Sequence, residues 1–140
     1  MSYSDGLTLY VDGGCSGNGQ RDLNKRRMIS VVTDEAGVVL KCSDYDGGSN
    51  NIAELQAVRD AIRWCGMMGI TRATVMTDSK NNLAWTFGRS VGKTINDRET
   101  VLAIKEEINA AFDAGFDLTL TWIPRDENLA GHYIERVHTL

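Results

Sequence analysis

An α/β architecture, a five-stranded mixed sheet flanked by helices, is predicted by three features of the sequence. Runs with the two-residue period of strands and the three- to four-residue period of helices follow one another as three strands, helix, strand, helices, strand, helix. Turn residues separate the early strands, which marks an antiparallel meander. Helices separate the later strands, so strands one and four are expected to run parallel through a right-handed crossover. A chain of 140 residues buries roughly two thirds of its unfolded surface around one core, and the expectation is a single domain over residues 1–140.

In the first strand Leu7, Leu9 and Val11 alternate with Thr8, Tyr10 and Asp12, and the glycines of GGCSGNG are expected to break it, leaving Asp12 at its carboxyl end. Met28 to Thr33 and Gly37 to Cys42 form the next two strands, joined by the turn signal Asp34-Glu35-Ala36-Gly37. From Asn50 the period changes: Leu55, Val58, Ile62 and Cys65 recur at helical steps, and Gly66 and Gly69 supply a stop, which predicts a helix over 51–66. A short strand over Ala73 to Met76 runs into Asp78, and a helix follows from Ser79 to about Phe87, ended by Gly88. Val101, Ile104, Ile108 and Phe112 mark another helix, stopped by Gly115. The fifth strand, Leu118 to Ile123, ends at Pro124, and Asp126 or Asn128 caps a last helix.

With 42% apolar and 24% charged residues and a single proline, the composition excludes a long disordered tract. The amino terminus lacks the basic start and apolar run of a secretory signal, and no stretch approaches the roughly 20 apolar residues that span a bilayer. Cys15, Cys42 and Cys65 are odd in number and form no CxxC pair, which argues against a disulfide framework or structural zinc. A soluble, cytoplasmic monomer with free thiols and no obligate protein partner is the expectation. The net charge of −4 runs against a nucleic-acid partner, but basic residues cluster at Arg21, Lys25, Arg26 and Arg27 and again at Arg89, Lys93 and Arg98. Each cluster reads either as grip on a phosphate backbone or as solvated loop charge.

The order of elements puts Asp12 and Asp78 at the carboxyl ends of two neighbouring strands, where open α/β sheets hold ligands. Glu54, in the first turn of the long helix, heads the row Val58, Ala61, Cys65 and leans toward the sheet. Converging carboxylates repel one another unless a cation neutralises them, and an all-oxygen set favours magnesium or manganese. Taken singly, the same residues read as a turn, a helix cap and a dipole partner.

LYVDGGCSGNG, NNIAEL, VMTDSKN and WIPRDEN, in this order and spacing, resemble the four motifs of the type 1 ribonuclease H family, over nearly the whole chain. The resemblance implies a ribonuclease H-like fold and an endoribonuclease that hydrolyses the RNA strand of RNA–DNA hybrids. It implies that Asp12, Glu54 and Asp78 are catalytic metal ligands, with Asp12 shared between two Mg²⁺ or Mn²⁺ ions. Two-metal chemistry then leaves 5′-phosphate and 3′-hydroxyl ends. The resemblance also places Cys15 and Asn18 against RNA 2′-hydroxyls, lets Gly13 and Gly14 approach the substrate closely, and sets Ser49, Asn50 and Asn51 against the hybrid backbone. Local turn and cap chemistry is the other reading of these polar residues.

The sequence departs from the family pattern at the fourth motif, where His132 stands in place of the usual aspartate, four residues after Asn128. As a catalytic metal ligand, His132 would add no negative charge and would favour Mn²⁺ over Mg²⁺. A register using Asn128, Asp126 or Glu127, or a histidine packed on the sheet, are the alternatives. The loop before the last helix carries no histidine; its Arg125 contacts a phosphate or points to solvent. With a short segment from Phe87 to Arg98 and no extended basic arm, few phosphate contacts and a shallow salt dependence are expected. A hybrid-binding module without strong catalysis, and a DNA nuclease of the same fold, are the competing functions.

Overall fold

The computed structural model describes residues 7–16, 27–46, 49–86 and 98–138. Asn18, the basic residues at 21, 25 and 26, Arg89, Lys93 and the helix stop at Gly88 lie outside them. Five strands, β1 (Thr8–Ser16), β2 (Arg27–Thr33), β3 (Val39–Asp46), β4 (Arg72–Thr77) and β5 (Asp117–Trp122), form one sheet in the order β3-β2-β1-β4-β5. β1 pairs antiparallel with β2 and β2 with β3, whereas β1, β4 and β5 run parallel. The helices are α1 (Asn50–Met67), α2 (Lys80–Thr86), α3 (Arg98–Asp113) and α4 (Leu129–His138), with a 3-10 turn at Arg125–Glu127 before the last. Among the described residues no helix is long and apolar enough to cross a membrane.

Local chemistry accounts for the boundaries. The Asp34 carboxylate accepts from the backbone N–H of Ala36 and Val38, both at 2.9 Å, and closes the β2–β3 turn. Ser49 caps α1 by accepting from the Ile52 N–H at 3.3 Å. Gly115, at φ +99°, supplies the left-handed residue that ends α3.

The alternation of β1 divides the molecule into two layers. Leu9 and Val11 face a core completed by Leu55, Val58, Ile104 and Ile108 of α1 and α3. Tyr10 faces the other side, where Ile29 and Val31 of β2 pack against Ala130, Tyr133 and Ile134 of α4. A one-residue slip of β1 would exchange the two sets, so both cores pin its register.

The glycines do not end β1, contrary to the expectation from GGCSGNG. Gly13, Gly14, Cys15 and Ser16 stay in the ladder opposite Ser30, Ile29, Met28 and Arg27. A glycine weakens a strand through entropy but remains where another backbone must approach closely, and here that backbone is α1. A Cβ on Gly13 would overlap the main chain of Ala53 and Glu54. Ser30 of β2 secures the same contact, its hydroxyl donating to the Ala53 carbonyl at 2.7 Å.

Candidate metal centre

β1 pairs with β4 only over Thr8, Leu9 and Tyr10. Beyond Tyr10 the two strands part, and Asp12 stands at the opening. Asp78 follows the last residue of β4 on the other side of it. The close approach at Gly13 brings the start of α1 over the same opening and with it Glu54, which stands just past the first turn rather than within it because α1 begins at Asn50. Carboxylate oxygens of Asp12, Glu54 and Asp78 lie within 4.8 Å of one another, which makes them a group able to hold a metal ion.

The electrostatics agree with that reading. Asp12 is 9% exposed, and burial pushes its carboxyl up to about 8, with Asp78 and Glu54 adding to the rise. The Gly13 N–H and the Arg125 guanidinium oppose it. Burial likewise raises Glu54 to about 7 against a hydrogen bond from the Ser79 hydroxyl; Asp78 raises it further and Arg125 lowers it. Desolvated carboxyls that crowd one another keep protons at neutral pH unless a cation replaces them. Three oxygen donors suit a hard divalent cation.

Further groups hold the carboxylates in place. Ser79 Oγ accepts from the Asn82 N–H at 3.2 Å, capping the start of α2. The buried Asn82 amide donates to the Glu54 carbonyl and to Thr77 Oγ1, both at 3.0 Å. Asn128 donates to Asp78 Oδ2 at 3.0 Å. Gly131 on α4 brings its Cα hydrogen to Asp12, since a Cβ there would lie 3.0 Å from Asp12 Oδ2. Sequence reasoning missed Ser79, Asn82 and Gly131 and saw Asn128 only as a cap or a substitute ligand. Ser79, a serine at a helix start, was a visible cap; for the side-chain role of Asn82 and for Gly131 there was no signal.

His132 does not join the group. Its Nε2 lies 2.7 Å from the Asp126 carbonyl oxygen, and the residue lines a separate groove with Ala36, Gly37, Leu129 and Arg136. One helical position from Gly131 turns the side chain off the site, because successive residues on a helix point about 100° apart. The nitrogen ligand behind the expected Mn²⁺ preference is therefore not among the converging donors, and neither Asp126 nor Glu127 takes its place among them.

The residues expected to touch substrate divide. Gly14, Cys15, Asn50 and Arg125, with Ser16 and Arg27, line a groove of about 290 Å³ that begins two residues beyond Asp12. Asn50 also ties the groove together, its Oδ1 accepting from the Cys15 N–H at 2.7 Å. Gly13 is buried under α1, Ser49 is used as the helix cap, and Asn51 is exposed on the first turn of α1. Arg125 is exposed and sits 3.8 Å from Glu135.

Solved structures share this fold. RNase H1 from the halophilic archaeon Halobacterium salinarum is similar at a TM-score of 0.65 and 17% identity, covering 96% of this chain and 98% of that one. LC11-RNase H1, isolated from compost by a metagenomic approach, gives a TM-score of 0.63 at 24% identity and covers 92% and 91%. The same protein in complex with RNA/DNA hybrid gives 0.57 at 24% identity, over 87% and 88%. None of the curated proteins compared matches the chain. At these identities the structures speak for the fold, but the RNase H family model matches residues 4–130, and the chain belongs to the RNase H family.

Proposed function

We propose that this protein is a metal-dependent endoribonuclease that hydrolyses the RNA strand of RNA–DNA hybrids and leaves 5′-phosphate and 3′-hydroxyl ends. The observation that carries the reading is the convergence of Asp12, Glu54 and Asp78 within 4.8 Å in a chain of this family. Divalent ions bound there, Mg²⁺ or Mn²⁺, supply water activation and stabilisation of the departing oxygen. Asp12, the most buried of the three, would be the carboxylate shared between two ions, as the family resemblance implies.

The chain's own residues do the rest. Burial of Asp12 and Glu54 strengthens their attraction for a cation, because a low-dielectric surrounding weakens screening. Gly14, Cys15, Asn50 and Arg27 offer backbone and polar groups along the groove for the sugar-phosphate chain of the hybrid. Arg125, which acts on both Asp12 and Glu54, is positioned to meet a phosphate at the same rim. LC11-RNase H1, similar in fold, has been solved with an RNA/DNA hybrid, which supports this choice of substrate.

The position of His132 favours a second reading, a hybrid-binding module with little catalysis, since three carboxylates hold two divalent ions less firmly than four. One assay decides. Labelled RNA–DNA hybrid, double-stranded RNA and duplex DNA are incubated with the protein in Mg²⁺ and in Mn²⁺, beside Asp12→Asn. The expected result is metal-dependent cleavage of the hybrid RNA that the variant loses. Binding of the hybrid without cleavage would establish the module instead, and preferential DNA cleavage would overturn both.

A further inference from the structure

Asn128 sits between the 3-10 turn and α4 with none of its surface exposed, and its side chain makes three hydrogen bonds to three parts of the chain. Nδ2 donates to the Val11 carbonyl at 2.9 Å and to Asp78 Oδ2 at 3.0 Å. Oδ1 accepts from the Ala130 N–H at 3.1 Å. Chemistry fixes which end of the amide points where. Turned over, Oδ1 would face a carbonyl and a carboxylate, both acceptors, and the Nδ2 protons would meet the Ala130 N–H.

The partners are as informative as the bonds. Val11 immediately precedes Asp12, and three residues after Asn128 the bare Cα of Gly131 lies against the Asp12 carboxylate. One amide thus touches the strand that carries Asp12, the carboxylate of Asp78 and the start of the helix whose Gly131 lies against Asp12. We infer that Asn128 is a positioning residue of the metal centre: it orients the Asp78 carboxylate and holds α4 on β1 so that Asp12 and Asp78 face the same point. This inference rests on the metal-site reading given above and adds a residue that touches neither ion nor substrate.

A neutral amide suits this position. It fixes one carboxylate oxygen while leaving the other lone pairs for a cation, and it brings no positive charge to compete with that cation. A lysine or arginine would neutralise Asp78 directly, and an aspartate would add repulsion to three crowded carboxylates. Removing an outer partner of a metal-binding carboxylate weakens metal affinity by about 10–100-fold in characterised sites.

The test measures Mn²⁺ binding by electron paramagnetic resonance of the free ion, with far-UV circular dichroism and urea unfolding alongside, for Asn128→Ala and Asn128→Ser. Serine retains an oxygen to cap Ala130, so folding is kept while the donor to Asp78 is lost. Both variants are expected to bind Mn²⁺ about 10–100-fold more weakly with native dichroism, and hybrid cleavage is expected to show a lower kcat at a nearly unchanged KM. A folded variant of either kind that binds Mn²⁺ like the parent overturns the inference. So does loss of fold in both, which would leave Asn128 a purely structural residue. Parent protein that binds no Mn²⁺ at all is a different failure, because it removes the metal site itself.

Discussion

Gly13 shows how much one missing side chain decides. The resemblance assigned it to substrate approach, but its Cα lies under the backbone of Ala53 and Glu54, and that contact is what lowers Glu54 into reach of Asp12. Gly13→Ala is expected to cost about 1–3 kcal/mol of stability through overpacking and to weaken divalent-ion binding at the same time. Urea unfolding and Mn²⁺ titration of the variant check this, and native values for both would show that α1 can shift without moving Glu54. The three carboxylates themselves were legible from residue type and motif spacing, although Asp12 lies within β1 rather than at the strand end where it was expected. The partner of Gly13 was not. A glycine reads the same in sequence whether a ligand, a helix or nothing fills the space beside it.

Among the elements, α4 departs furthest from expectation. Asn128, just before it, and Gly131 in its first turn reach the carboxylates, while His132, one step on, turns to the Asp126 carbonyl. His132→Ala is therefore expected to leave Mn²⁺ affinity unchanged and to cost only the single hydrogen bond, about 0.5–1.5 kcal/mol. The same titration and unfolding experiments decide it, and a clear loss of affinity would put the imidazole on the metal after all. The start of α4 was readable, because Asn128 has the residue type and place of a cap. Its rotation about the helix axis was not, since that depends on how Ala130, Tyr133 and Ile134 seat against β2. β1 gives the complementary lesson. Its first half followed from alternation, but its continuation through two glycines depended on a partner strand and on a helix that only the folded chain brings there.

For the molecule as a whole, the crowded carboxylates make stability depend on pH and on metal. Unfolded, such groups titrate near about 3.9 and 4.3; folded, Asp12 and Glu54 are raised to about 8 and about 7. The folded state therefore holds protons that the unfolded state releases. Their contribution is fully present below about pH 4 and is lost as pH rises through 7 to 8. Glu107, lowered by its hydrogen bond with Arg63, acts oppositely in acid, so the useful window is pH 5 to 8. Urea midpoints in a chelator are expected to fall across that window and to recover in Mg²⁺, most strongly at pH 8; equal midpoints at both pH values would argue that the carboxyls are not crowded. The sequence by itself determined the sheet and helix order, the three carboxylates and the family they belong to, because these rest on local period and on residue type at fixed spacing. Tertiary structure alone decided that Asn128 reaches Val11 and Asp78, that Gly13 admits α1, and that His132 stands aside. Those outcomes are distances between residues remote along the chain, and only packing sets them.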